Sequence, residues 1–204
     1  MKTQLQDVEH NLFFRGAFES IVIFDLDGVV ADFSGASVDH FGPADISHYS
    51  LEARWPDKKR EVQDFVTNPL TYLFLRPIPG VREAINRIRK AGFTPIAVTA
   101  RPATRGMWLA TWLWLKLHRI NLEGPYLVPF SEKVQRLTTH VRPWAIIDDS
   151  PNHLRDFALY HKSLTVFCLS QAWNYTAIFD VNVHPIFGWE RFSVLELIEG
   201  DLSW

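Results

Sequence analysis

Short apolar runs alternate with segments of helical pattern over most of this chain. Five of the runs contain no charged residue and are rich in β-forming side chains. They are Ile21–Phe24, Phe93–Val98, Pro125–Val128, Trp144–Ile147 and Leu164–Leu169. The segment Val81–Ala91, in contrast, places its apolar residues on one helical face and its charges on the other. Buried strands separated by helices are typical of a parallel sheet, so the pattern predicts an α/β fold with about five parallel strands.

The first apolar run ends in two aspartates, Asp25 and Asp27, with Gly28 after them. Carboxylates at the end of a buried strand are costly unless a cation lies between them. Mg²⁺ prefers oxygen ligands and keeps positions for water and for substrate phosphates, so we predict a magnesium site here. A surface turn rich in Asp and Gly is the alternative. The apolar lead-in favours the core strand and its carboxyl end, where open α/β sheets bind ligands.

The fourth apolar run also ends in two acids, Asp148 and Asp149. Two acidic strand ends in one small domain are hard to explain as two surface turns. They have one common explanation if both face the same cation. Asp25, Asp27, Asp148 and Asp149 therefore form the predicted metal-binding group.

The second apolar run ends in Thr99, followed by Ala100 and Arg101. A hydroxyl and the free backbone N–H groups of a helix start all donate to an anion, so we predict a phosphate site at these three residues. Thr99 also fits a helix N-cap, and both roles are compatible. For Arg101, a charge-assisted contact with phosphate and a structural role in holding the loop remain equally open.

Lys133 lies at the start of the helical pattern that precedes the fourth strand. A lysine near clustered carboxylates and a phosphate neutralises charge on both and helps to position the attacking group. A single lysine in a first helical turn is usually exposed to solvent. Its assignment to the site therefore depends on a family resemblance.

The sequence Asp25-Leu26-Asp27-Gly28 resembles the first motif of the haloacid dehalogenase (HAD) superfamily in its phosphatase form. Three more motifs of that superfamily are expected in order along the chain. They are matched by Thr99, by Lys133 and by Asp148-Asp149. The resemblance implies a three-layer, Rossmann-like HAD core with a small, mainly helical cap inserted after the first strand.

Two further sequences are similar to particular branches of the superfamily. Val98-Thr99-Ala100-Arg101 resembles the loop of nucleotidases and polynucleotide phosphatases, and Gln171-x-x-Asn174 resembles the loop after the last strand in type C 5′(3′)-deoxyribonucleotidases. The resemblance covers about Ile21 to Ile198. Within the cap, only length and composition are similar, so the substrate is left open.

The resemblance also implies catalytic roles. Asp25 would attack phosphorus and carry the aspartyl-phosphate, and Asp27 would protonate the leaving group and then activate water. Thr99 and Lys133 would bind the phosphoryl oxygens.

The same resemblance implies a set of ligands for Mg²⁺. These are the Asp25 carboxylate, the Asp27 backbone carbonyl and the Asp149 carboxylate. Asp148 would act through water or from the second layer of contacts.

The predicted organisation has three parts. Residues 1–20 form an N-terminal extension, residues 21–31 and 77–204 form the core, and residues 32–76 form the cap. Within the cap, Leu51–Val66 has a helical pattern. Several aromatic and histidine side chains of the cap are candidates for substrate contact. They are Phe33, His40, Phe41, His48, Tyr49 and Tyr72.

The composition and the net charge of the chain argue against some classes of function. The net charge of −2 argues against nucleic acid as a partner, and no apolar stretch is long enough to predict a membrane span. The single cysteine, Cys168, is consistent with a reducing compartment, and we expect a cytoplasmic protein. The tryptophan-rich segment Met107–Leu117 is expected in the core, with a homodimer interface as the alternative.

We therefore predict a Mg²⁺-dependent phosphomonoesterase that acts on a small phosphorylated substrate, with a nucleotide as the first choice. The alternatives within enzymes are a polynucleotide end-phosphatase, a phosphatase of another metabolite, and a phosphomutase or phosphotransferase. A non-catalytic protein that binds phosphorylated ligands is the alternative of another class.

Overall fold

A parallel six-stranded sheet forms the centre of the molecule. The computed structural model describes residues 20–141, 143–160, 164–175 and 183–193. The strands are β1 (Ile21–Phe24), β2 (Thr94–Thr99), β3 (Glu123–Leu127), β4 (Ala145–Asp148), β5 (Thr165–Leu169) and β6 (Val183–Ile186). They lie in the order β3-β2-β1-β4-β5-β6, and all neighbouring pairs are parallel. This arrangement confirms the predicted α/β fold.

The register of the central strands explains their unbroken apolar sequences. Ile23 of β1 lies opposite Ile96 of β2 and Ile146 of β4, and the side chains of this row enter the core on one face of the sheet. Phe24 is the next residue along and belongs to the core on the other face. Because successive side chains of a strand point to opposite faces, a strand covered on both sides needs apolar residues at every position.

The sequence pattern missed strand β6. Its residues are Val-His-Pro-Ile, and the proline at position 185 removes a backbone hydrogen-bond donor. Such a residue is tolerated in a strand at the edge of a sheet, and β6 occupies that position beside β5. The sheet therefore has one strand more than the five that were counted from the apolar runs.

Between β1 and the rest of the core, the chain forms a helical segment. Its α-helices are α1 (Phe33–Phe41), α2 (Leu51–Arg54), α3 (Lys59–Thr67) and α4 (Pro69–Leu73). The segment Leu51–Val66 is helical as predicted but does not form one helix, because the chain breaks at Trp55. Pro56 follows that residue and disfavours the helical conformation before it. The segment contains a small core of its own around Phe41, Trp55 and Val62.

The remaining helices cover the two faces of the sheet. On one face, α5 (Val81–Lys90) and α6 (Arg105–Leu117) bury their apolar sides. On the other, α7 (Lys133–Arg136), a following π-helical turn (Leu137–Val141) and α8 (Pro151–Tyr160) do the same. The three-layer architecture is therefore confirmed.

Several predicted features lie partly or wholly outside the described residues. Most of the N-terminal extension, residues 1–19, is among them, as are residues 194–204 at the end of the predicted core. In α6, Met107 and Trp114 are buried as expected, whereas Leu109 and Leu117 are exposed. None of the helices in the described ranges is long and apolar enough to cross a membrane.

Candidate active site

The carboxyl ends of β1 and β4 bring two acidic sequences together. The carboxylates of Asp25, Asp148 and Asp149 are buried, and one oxygen of each lies within 4.8 Å of the others. Gly28 makes this approach possible. A Cβ at residue 28 would overlap the Asp149 carboxylate, and its φ of +81° favours glycine. Only the tertiary structure could show this contact, because the two residues are 121 positions apart.

Lys133 lies between two of these acids. Its Nζ donates to Asp25 Oδ1 at 2.7 Å and to Asp148 Oδ2 at 2.8 Å, and the side chain is inaccessible to solvent. The expectation that a lone lysine in a first helical turn is exposed does not hold here. Burial works to lower the pKa of Lys133, but Asp148 and Asp25 outweigh it and keep the ammonium charged.

The three buried acids differ in their pKa values, because nearby positive groups offset the cost of burial to different extents. Burial raises the pKa of Asp25 to about 6, although Lys133 opposes the shift. Burial, with the charges of Asp25 and Asp148, raises the pKa of Asp149 well above its usual range. For Asp148, burial also works to raise the pKa, but Lys133 and His153 outweigh it and hold the pKa below its usual range.

Asp149 also lacks a hydrogen bond where one is expected. Its Oδ1 is buried and has no partner among the described residues, although buried polar atoms are nearly always paired. A buried carboxylate of this kind, with two more acids within 4.8 Å, fits a divalent cation with oxygen ligands. The residues present are therefore suited to Mg²⁺.

Asp148 has protein partners for both of its oxygens. Oδ1 accepts from the Ser150 backbone N–H at 2.9 Å, and Oδ2 lies 3.2 Å from His153 Nδ1 in addition to its bond with Lys133. His153 is itself held by the Phe130 carbonyl, 3.2 Å from Nε2. Sequence reasoning missed His153. The only local signal was its position in the first turns of the helix that follows the acidic pair.

Arg101 is turned toward Asp27. Its Nε and Nη2 donate to the two carboxylate oxygens of Asp27 at 2.9 and 2.6 Å, and Nη1 donates to Thr111 Oγ1 at 3.0 Å. The guanidinium carbon also lies 4.3 Å from the centre of the Tyr72 ring. Of the two interpretations of Arg101, these contacts favour the one in which it holds a loop. A contact with phosphate stays a prediction.

Thr99 ends β2 beside the acids. It is buried, and its Oγ1 accepts from the Arg101 backbone N–H at 3.4 Å, which leaves the hydroxyl proton available to a ligand. Thr99, Ala100 and Arg101 line the same cavity as Asp25 and Asp149. The structure thus places the predicted phosphate loop beside the acidic cluster.

The cavity above the acids has a volume of about 590 Å³, in the usual range for small-molecule sites. Three of the predicted contact residues from the helical segment line it, namely Phe33, Tyr49 and Tyr72. The other three, His40, Phe41 and His48, do not. A larger cavity of about 690 Å³ is lined by residues of α1, α3 and α4, among them His40. It contains none of the acids Asp25, Asp148 and Asp149, so chemistry favours the smaller cavity.

The loop after β5 fixes the backbone of both acidic sequences. Gln171 Nε2 donates to the Gly28 carbonyl at 2.6 Å, and Asn174 Nδ2 donates to the Asp149 carbonyl at 3.0 Å. Between them, Trp173 Nε1 donates to the same Asp149 carbonyl at 3.3 Å. These bonds give a physical reason for the Gln-x-x-Asn sequence at this position.

The fold and the acidic site together define a HAD-type phosphatase. The chain is similar over 88% of its length to D,D-heptose 1,7-bisphosphate phosphatase from Burkholderia thailandensis, of which 98% is covered, with 14% identity and a TM-score of 0.55. The enzyme of that name from B. bronchiseptica, solved with magnesium and phosphate, gives 14% identity, 88% and 99% coverage, and a TM-score of 0.54. Because the sequence identity is only 14%, these two similarities show a shared fold and no more.

The family follows from the sequence. A family model described as 5′ nucleotidase, deoxy (pyrimidine), cytosolic type C protein matches residues 19–177. The chain belongs to this family, and the predicted HAD resemblance is confirmed. No curated protein matched the chain in a sequence comparison.

Proposed function

We propose that the protein is a Mg²⁺-dependent phosphomonoesterase that works through an aspartyl-phosphate on Asp25, with a nucleoside monophosphate as substrate. One observation carries the proposal. The buried acids Asp25, Asp148 and Asp149 lie within reach of one cation, and Lys133 pairs with Asp25 and Asp148. Asp25 and Asp149 line a cavity together with Thr99. Charge of both signs is thus arranged beside a site for a phosphoryl group.

The metal would be held by the carboxylates of Asp25 and Asp149 and by the backbone carbonyl of Asp27, with Asp148 behind them. When bound, Mg²⁺ supplies positive charge that lets one anion approach another. Asp149 Oδ1 has no hydrogen-bond partner in the described part of the chain, which supports its place as a direct ligand. The full set of protein partners around Asp148 supports a more distant role for that residue.

The first chemical step is assigned to Asp25. Lys133 occupies Asp25 Oδ1, so Oδ2 attacks phosphorus and the bond from phosphorus to the leaving oxygen breaks. Asp27 gives its proton to that oxygen. Thr99 and Lys133 stabilise the charge on the phosphoryl oxygens.

The second step reverses the role of Asp27. Its carboxylate takes a proton from water, the water oxygen attacks phosphorus, and the bond to Asp25 breaks to release phosphate. Arg101 donates to both oxygens of Asp27 in the structure and so orients this carboxylate for the step. One of the two bonds must open when Asp27 carries the proton.

We further propose that residues 32–76 act as a cap over the substrate. The backbone closes at the base of this segment, where the Asp32 N–H donates to the Arg76 carbonyl at 2.8 Å. Above the acids, the cap supplies the aromatic walls Phe33, Tyr49 and Tyr72. Flat aromatic walls suit a planar base, which supports a nucleotide as the substrate and a nucleoside as the leaving group.

The test is release of phosphate from an aryl phosphate and from a panel of nucleoside monophosphates, with Mg²⁺ and with EDTA. We expect activity with Mg²⁺ alone and a preference for nucleotides. Asp25→Asn should abolish turnover, whereas Asp27→Asn should still form some phosphoenzyme and lose it slowly. Full activity in Asp25→Asn would falsify the nucleophile assignment.

A further inference from the structure

The cavity has two oppositely charged walls that do not pair with each other. Asp25 and Asp149 lie in the lower wall beside the paired Asp27 and Arg101. From the cap helix α2, the buried Arg54 and the exposed Glu52 line the cavity. No ion pair joins Arg54 to a carboxylate among the described residues. We propose that Arg54 binds the phosphoryl group of the substrate from the cap side, together with Thr99 and Lys133. This inference rests on the proposed function and assigns a residue of the cap to the same site.

Arg54 has donors left for a ligand. The residue is only 7% exposed, its Nε donates to the His48 carbonyl at 2.6 Å, and its Nη1 donates to Ser34 Oγ at 2.7 Å. Within the described ranges, Nη2 has no hydrogen-bond acceptor. A guanidinium carries five N–H donors in a planar fork, so the two bonds to the cap fix its position while the rest of the fork stays available. The planar arrangement of these N–H donors matches the arrangement of the oxygens of a phosphate group.

Trp173 places the guanidinium over the acids. The Arg54 guanidinium carbon lies 4.7 Å from the centre of the Trp173 ring, and the indole N–H of Trp173 donates to the Asp149 carbonyl. One side chain therefore contacts both the cap cation and the backbone of the predicted metal ligand. Burial lowers the pKa of Arg54, and the negative charge of Asp149 is the largest influence that opposes this shift.

The unmet charges on the two walls call for a ligand that carries both signs. The buried Oδ1 of Asp149 has no partner among the residues that the structure describes and suits a cation, whereas the remaining N–H donors of Arg54 suit an anion. A phosphoryl group accompanied by Mg²⁺ meets both requirements. Arg54 lines the cavity, and the structure describes no hydrogen bond of its Nη2 within the cap.

The test is the affinity for inorganic phosphate in the presence of Mg²⁺, measured by titration calorimetry on the full chain. Charge-assisted hydrogen bonds lead us to expect about 10- to 100-fold weaker binding in Arg54→Ala. Arg54→Lys should recover part of the loss, because it keeps the charge but not the fork. The matched control is Arg60→Ala on α3, an exposed arginine that does not line the cavity and should bind phosphate like the wild type.

Steady-state kinetics distinguish a contact of Arg54 with the phosphoryl group from a contact with the leaving group. We expect kcat/KM of Arg54→Ala to fall by a similar factor for an aryl phosphate and for a nucleoside monophosphate. A loss confined to nucleotides would overturn the proposal, because Arg54 would then contact the leaving group. Unchanged phosphate affinity would overturn it as well. If Arg54→Ala does not fold, Arg54→Gln, which keeps a hydrogen-bonding group for Ser34, carries the same comparison.

Failure of this inference and failure of the proposed function give different results. A wild-type protein that binds phosphate in an Arg54-dependent manner but hydrolyses no phosphomonoester contradicts the proposed function only. A wild-type protein that hydrolyses phosphomonoesters while Arg54→Ala equals it in both assays contradicts the role of Arg54 only. A wild-type protein that binds no phosphate contradicts the role of Arg54 directly.

Discussion

Asp25 is expected to lower the stability of the metal-free protein, and Asp25→Asn tests this. The carboxylate is buried beside two other acids, and burial raises its pKa from the usual 3.8 to about 6. The folded protein therefore binds the proton more tightly than the unfolded chain does. The stabilisation from this proton is complete below pH 3.8 and is lost as the pH rises through about 6. An asparagine at this position has no proton to lose.

The magnitude follows from the size of the pKa shift. One pKa unit corresponds to about 1.4 kcal/mol, so a rise from 3.8 to about 6 corresponds to a loss of about 3 kcal/mol between pH 4 and pH 8. In a chain of 204 residues, 1 kcal/mol shifts Tm by roughly 2–4 °C. We therefore expect the difference in Tm, Asp25→Asn minus wild type, to increase by about 6–12 °C between pH 4 and pH 8.

The assay is thermal unfolding of both proteins in EDTA across this pH range, followed by circular dichroism. The comparison within each pH removes the effect of titrating groups that are distant from Asp25. Asp149 does not cancel, because the charge of Asp25 helps to raise its pKa, but it changes the difference in the same direction. Asp27→Asn is the matched control, because the same change two residues away removes the carboxylate that pairs with Arg101. It should destabilise the protein at pH 8. A Tm difference between Asp25→Asn and wild type that does not change with pH would refute the reasoning.

Two further predictions concern contacts that connect distant parts of the chain. Gly28→Ala should lower Tm sharply and weaken Mg²⁺ binding, because its Cβ would overlap the Asp149 carboxylate at a positive φ; a variant with wild-type Tm and metal affinity would contradict this. Arg101→Lys keeps the charge but not the paired hydrogen bonds to Asp27, so kcat should fall about 10-fold or more while KM changes little. Steady-state kinetics check this, and a rise in KM alone would instead indicate that Arg101 binds phosphate.

The candidate site could be predicted from the sequence where its chemistry is local to a strand end. Asp25 directly follows β1, and Thr99 and Asp148 are the last residues of β2 and β4. The carboxyl ends of parallel strands share one edge of the sheet. The order of the motifs along the chain then suffices to bring them together. Strand β6 was missed for a related reason, since an edge strand with a proline has no unbroken apolar pattern.

The layered fold and the acidic strand ends could be predicted from the sequence alone. A strand that is buried on both faces requires a run of apolar residues, and a charged residue at its end requires a partner of opposite charge. Only the tertiary structure decided which partner each charge has. Arg101 pairs with Asp27 across 74 residues, Lys133 reaches Asp25 across 108, and Arg54 faces the acids from the cap. These contacts depend on the direction of individual side chains in a packed cavity, which no local pattern encodes.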